Sequence, residues 1–89
     1  MISFELESDT YWTMRQDATS LSQEATRAIA SATRVPGTTR RRVTCRRTVA
    51  EEIRDWLQDH ARAYLDMEED QQKAPGCQRA AEAIDALLK

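Results

Sequence analysis

The chain has 89 residues, 40% hydrophobic and 31% charged, with 13 basic and 15 acidic side chains and a net charge of −2. That is one domain's worth of chain, able to bury roughly 60 to 65% of its unfolded surface. No apolar run nears the roughly 18 residues of a membrane span. The opening MISFELESD has neither the basic nor the apolar region of a signal peptide. The expectation is a single cytoplasmic domain, residues 1–89, with no membrane contact.

Two cysteines, Cys45 and Cys77, are too few for a disulfide framework, and in a reducing compartment they are expected as free, buried thiols. The small net charge hides a dipole. Residues 34–47 hold six arginines and no acid, whereas residues 51–70 hold eight acids and two arginines, a net of −6.

Taken in order, residues 2–7 (ISFELE) alternate apolar and polar side chains, the mark of a half-buried strand. Ser8, Asp9 and Thr10 then offer N-cap side chains. Tyr11, Met14, Ala18, Leu21, Ala25, Ala28, Ala32 and Val35 follow at alternating steps of three and four. That heptad spacing predicts one helix over 10–34, stopped by Pro36-Gly37. At 1.5 Å per residue such a helix would be about 38 Å long. One end of it could reach past its own domain and pair with a second copy.

A second strand is expected over 39–47, with Arg41, Val43, Cys45 and Arg47 on one face and Arg42, Thr44 and Arg46 on the other. Strand, helix, strand implies a crossover and hence a parallel pair. Glu5 and Glu7 would then lie beside Arg42 and Arg46. Thr48 to Glu51 has the spacing of a capping box and opens a helix over 49–66. Its apolar stripe is Val49, Ile53, Trp56, Leu57, His60, Ala61, Tyr64 and Leu65. Residues 67–75 are acidic and aperiodic and read as a loop ending at Pro75-Gly76. A last helix over 77–88 carries Cys77, Ala80, Ala81, Ile84, Leu87 and Leu88 on one face. The fold class expected is therefore α+β, or small α/β, in the order β-α-β-α-α. Its two-stranded sheet is covered by three helices, and dimerisation could extend it.

No catalytic or cofactor motif stands out. His60, the only histidine, lacks a nucleophile and an orienting partner in any recognisable pattern. Cys45, Cys77 and His60 do not have zinc-ligand spacing. Glu68-Glu69-Asp70 is not a calcium loop, and the two glycines, each beside a proline, build no phosphate cradle. The chain thus reads as a non-enzymatic interaction module without cofactor or metal, a homodimer that also binds another protein. Regulators and inhibitors of bacterial or phage origin are often small and acidic in this way. Tyr11 and Trp12 are the candidate anchors. Glu52, Asp55 and Asp59 form a candidate acidic steering patch. The competing expectation is a nucleic-acid or phosphate binder acting through Arg40, Arg41, Arg42, Arg46 and Arg47. What separates the two is whether those guanidiniums stand open together or are tied up within the fold.

Overall fold

The computed structural model describes residues 1–89. Four helices cover one face of a three-stranded antiparallel sheet, an α+β arrangement. In chain order the elements are β1 (Ile2–Leu6), α1 (Ser8–Asp17), α2 (Gln23–Ala30), β2 (Thr33–Arg34), β3 (Arg41–Cys45), α3 (Arg47–Leu65) and α4 (Ala74–Leu88), with a 3₁₀ turn at Gln71–Lys73. The first strand is where the alternation put it. Phe4 and Leu6 are buried and Ser3 and Glu5 exposed.

The single helix over 10–34 is not formed. The chain leaves the helix after Asp17 and restarts at Gln23. Thr19, Ser20 and Ser22 can all hydrogen-bond to nearby backbone and so compete with the helical ladder. Ser22 does so: its hydroxyl accepts from Ala25 N–H at 3.1 Å and caps α2. Compactness acts in the same direction. The molecule's longest dimension is 36 Å, too short for an uninterrupted helix of about 38 Å. The seam is correspondingly uneven, with Tyr11, Met14 and Ala25 buried but Ala18, Leu21, Ala28 and Ala32 only flanking the core.

The sheet order β1-β3-β2 replaces the expected two-stranded parallel pair. Both β1 and β2 pair antiparallel with β3, so β1 and β2 run in the same direction. The expected parallel pairing of residues 2–7 with residues 39–47 is therefore not formed, because β3 folds back antiparallel into the gap between β1 and β2. The fold-back is a tight turn. Val35-Pro36-Gly37-Thr38 closes with Thr38 N–H on the Val35 carbonyl at 3.1 Å, and Gly37 sits at φ +78°. Proline second and a positive-φ glycine third are the requirements of a type II turn. The two-residue β2 occupies chain that the helical spacing claimed.

Helix α3 starts at Arg47, with Arg46 at the N-cap and no side-chain cap, so the expected Thr48–Glu51 capping box is absent. Because the helix begins two residues early, Thr48 already lies inside the first turn. Glu51 instead faces Arg47 at 3.5 Å, one turn away. The apolar stripe is buried at Val49, Ile53, Trp56, Leu57, Ala61 and Tyr64, whereas Leu65 lies outside. Pro75 and Gly76 do not end a loop; they lie in the first turn of α4, where proline's missing N–H costs nothing. Gly76 has a packing reason as well. A Cβ there would stand 2.6 Å from Thr10 Oγ1, so only glycine lets α4 come this close to α1. The antiparallel α3–α4 pair and the sheet's inner face enclose a core that includes Leu6, Val43, Ile53, Leu57, Cys77 and Ile84.

Candidate protein interface

The arginine-rich strand ends up in the middle of the sheet, and its guanidiniums separate into two groups. In the first group each faces an acid of its own chain. Arg42 lies opposite Glu5 in register and pairs with it at 3.5 Å. Arg46 reaches Glu24 of α2, its Nε donating at 2.7 Å, and this contact holds the Glu24 carboxyl below its usual range. Arg47 approaches Glu51 and donates to the carbonyl of Leu88. The expected pairing of Glu7 with Arg46 does not occur. Glu7 lies beyond the antiparallel register, at the start of α1, and takes both Arg79 nitrogens at 2.9 Å. Those bonds lower the Glu7 pKa.

The second group, Arg34, Arg40 and Arg41, closes no ion pair, although Arg40 shares a hollow with Glu7 and Asp9. Arg34 and Arg41 are cross-strand backbone partners, but their guanidiniums engage different groups, Arg34 Nε donating to the Thr38 carbonyl at 3.0 Å. Arg41 turns inward and stacks on aromatic rings, 4.9 Å from the Tyr11 centroid and 5.7 Å from that of Trp12. Its Nε is buried with no acceptor. Tyr11 and Trp12 meet edge to face at 5.0 Å. Trp12 is 50% exposed and Tyr11 only 5%. Tyr11 is thus a core residue that holds Arg41 from below, not the surface anchor its sequence context implied. Trp12 is the exposed aromatic of the two. On its far side it lines a polar groove with Gln16, Gln72 and the paired Lys73 and Arg79.

The acidic steering patch is likewise divided. Glu52 accepts from the Ser22 backbone N–H at 2.6 Å and from its hydroxyl at 2.7 Å, fastening the start of α2 to α3. Asp55 pairs with Arg54 at 3.1 Å. Asp59 alone is exposed and unpaired.

A second polar cluster was not visible from spacing. Tyr64 donates to Asp17 at 2.6 Å, and Lys73 bridges Asp17 (3.4 Å) and Asp70 (3.1 Å). Burial and the Asp17 bond push the Tyr64 hydroxyl well above its ordinary pKa, while the same bond and Lys73 hold Asp17 ionised. The Tyr64 hydroxyl thus ties α3 to the end of α1 through the ionised Asp17 carboxylate. His60 stacks flat on Trp56, centroids 3.8 Å apart, with Nδ1 bonded to the Trp56 carbonyl at 2.9 Å. Both thiols are free and buried, and burial raises Cys77 to about 11. No three His, Cys, Asp or Glu side chains converge as a metal-ligand set, and no helix is long and apolar enough to cross a membrane.

Arg34 was absent from the expected sites because the helical spacing covered it. The Pro36-Gly37 turn was the signal that could have placed it opposite Arg41. No family model, curated protein or solved structure matches this chain.

Proposed function

We propose that this protein is a non-enzymatic, cytoplasmic interaction module that docks an acidic surface of another protein, with Trp12 as the hydrophobic anchor. One observation carries the proposal. Arg41 is stacked on Tyr11 and Trp12, opposite Arg34, and neither has a carboxylate of its own. A half-exposed tryptophan beside a preorganised guanidinium has the composition of an interface hot spot. An incoming carboxylate would supply the acceptor that the Arg41 guanidinium lacks, so binding acquires a favourable electrostatic contribution that the free protein lacks. A regulator or inhibitor that acts by occupying a partner's surface needs nothing more.

The nucleic-acid reading is weaker on the same geometry. Arg42, Arg46 and Arg47 are each engaged with an acid. The sheet's open face carries Ser3, Glu5, Thr33, Arg42 and Thr44 and no aromatic side chain on which bases could stack.

The test selects the purified protein against a displayed random-peptide library and, in parallel, against random single-stranded and duplex nucleic-acid pools. The expected result is enrichment of acidic peptides whose binding falls at least about 30-fold in Trp12→Ala and in Arg41→Ala, as for a hot spot of about 2 kcal/mol. Enrichment of nucleic acid, or of peptides indifferent to Trp12, would overturn the proposal.

A further inference from the structure

We infer that the free edge of β1 is a self-association surface, which pairs antiparallel with β1 of a second copy about Phe4. The interior of the sheet is closed to a partner, because β3 is hydrogen-bonded on both sides. Of the two edges, β2 offers two residues and β1 five. The β1 edge is open. A hollow of about 390 Å³ runs along it, bounded by Ser3, Phe4 and Glu5 on the strand, Arg40 and Arg42 on one side and Ala83 and Leu87 of α4 on the other. Leu87 is 49% exposed there. An unblocked strand edge beside an exposed leucine is the arrangement that pairs with another chain unless charge or proline prevents it.

A second copy fits this edge by its own charge pattern. In an antiparallel pair, residues directly opposite point to the same face. Centring the pair on Phe4 sets Ile2 opposite Leu6 and Ser3 opposite Glu5. The outer row across the junction then reads Arg42, Glu5, Ser3, Thr44. Each carboxylate lies between its own Arg42 and a serine, and no like charges meet. Centring the pair on Glu5 instead would set two carboxylates face to face, and centring it on Ser3 would leave Leu6 without a strand partner, so the Phe4 register pairs the whole of Ile2–Leu6 with no like charges opposed. Because α4 lies against the β1 side of the sheet, the same two-fold brings the two α4 helices alongside. That adds Ala83 and Leu87 from each copy to the buried surface. The result is a continuous six-stranded sheet. This inference is independent of the acidic-partner site, which lies at Trp12.

The test is solution mass by light scattering and sedimentation equilibrium on the full chain, with circular dichroism to verify folding. The wild type is expected at twice its 10.2 kDa, at low and at high salt. Ser3→Glu places a carboxylate opposite Glu5 twice per dimer and should weaken association about tenfold or more. Ser3→Arg at the same exposed position should leave association intact or strengthen it. Loss of the Ser3–Thr44 hydrogen bond (2.8 Å) is common to both variants, so it cannot produce opposite effects. Leu87→Glu should also shift the mass toward the monomer. A wild type that remains monomeric at millimolar concentration would overturn the inference. So would equal responses of the dimer to Ser3→Glu and Ser3→Arg.

Discussion

The two ends of this molecule treat charge in opposite ways. Where α1, α3 and α4 meet, Asp17, Tyr64, Lys73 and Asp70 form a closed set, each charge facing its complement. At the β2–β3 hairpin, Arg34, Arg40 and Arg41 close no ion pair; Arg40 only stands near Glu7 and Asp9, and Arg34 and Arg41 are backbone partners across the sheet. The residue types are ordinary at both ends. What differs is closure. A closed set stabilises the fold and leaves little for a ligand to gain. An open set costs stability in the free protein and returns it to whatever brings the missing charge. The same contrast runs along a few residues of one segment, where Arg42, Arg46 and Arg47 are matched and Arg40 and Arg41 are not.

The largest expected effects belong to the closed end. Gly76→Ala places a methyl against the Thr10 hydroxyl and should destabilise by about 1–3 kcal/mol, as overpacking does. Removing the obstacle sharpens this. The double variant Gly76→Ala, Thr10→Ala should recover part of the loss in urea melts, because the next atom, Thr10 Cβ, stands 3.9 Å away. Tyr64→Phe should cost about 1–2 kcal/mol, since it strips a donor from a partly buried carboxylate. Tyr64→Phe should not alter binding of an acidic peptide. At the open end the pattern inverts. Arg41→Ala should cost the fold far less than Tyr64→Phe while lowering peptide affinity. A variant that moved both quantities together would erase the distinction between the two ends.

How much of this was legible in the sequence depended on what kind of signal each element left. The α3 stripe and the β1 alternation were read correctly because burial of one face is a local property of the chain. The helix over 10–34 failed because alanine at heptad spacing is compatible with helix and with much else. The Thr19–Ser22 tract, an ordinary helix-breaking signal, was outweighed by it. With the break missed, β2 disappeared into the helix and the expected sheet was left with two strands. Glu5 with Arg42 was foreseen, because cross-strand charge is a pairwise rule. Glu24 with Arg46 and Glu7 with Arg79 were not, since those contacts depend on where α2 and α4 come to lie. Trp12 was correctly singled out as an exposed aromatic. Tyr11 beside it was separable: the heptad spacing already placed it on the apolar seam, where the structure buries it, and naming it an exposed anchor ran against that phase.

The two kinds of buried chemistry at the closed end also predict opposite pH dependences. Asp17 is held ionised by Tyr64 and Lys73, so its pKa is lower in the folded protein than in the unfolded chain. The unfolded state then binds more protons in acid. The stability Asp17 contributes is present above about pH 4 and lost as pH falls through the folded value. Cys77 is the reverse. Burial raises it from 9.0 to about 11, so its contribution is complete below about pH 9 and is lost as pH rises toward 11. Urea midpoints measured between pH 2 and 11 test both. Tyr64→Phe should flatten the acid limb and also the part of the alkaline limb above about pH 10, because the raised Tyr64 hydroxyl titrates there in the unfolded chain. Cys77→Ala should flatten only the alkaline limb, whatever it costs at neutral pH, and in the folded wild type both thiols should react far more slowly with a thiol reagent than after unfolding. If Tyr64→Phe left the acid limb as steep as in the wild type, Asp17 would not be the group that the closed end holds ionised. The contrast with the arginines at the hairpin would then rest on contacts without energetic weight.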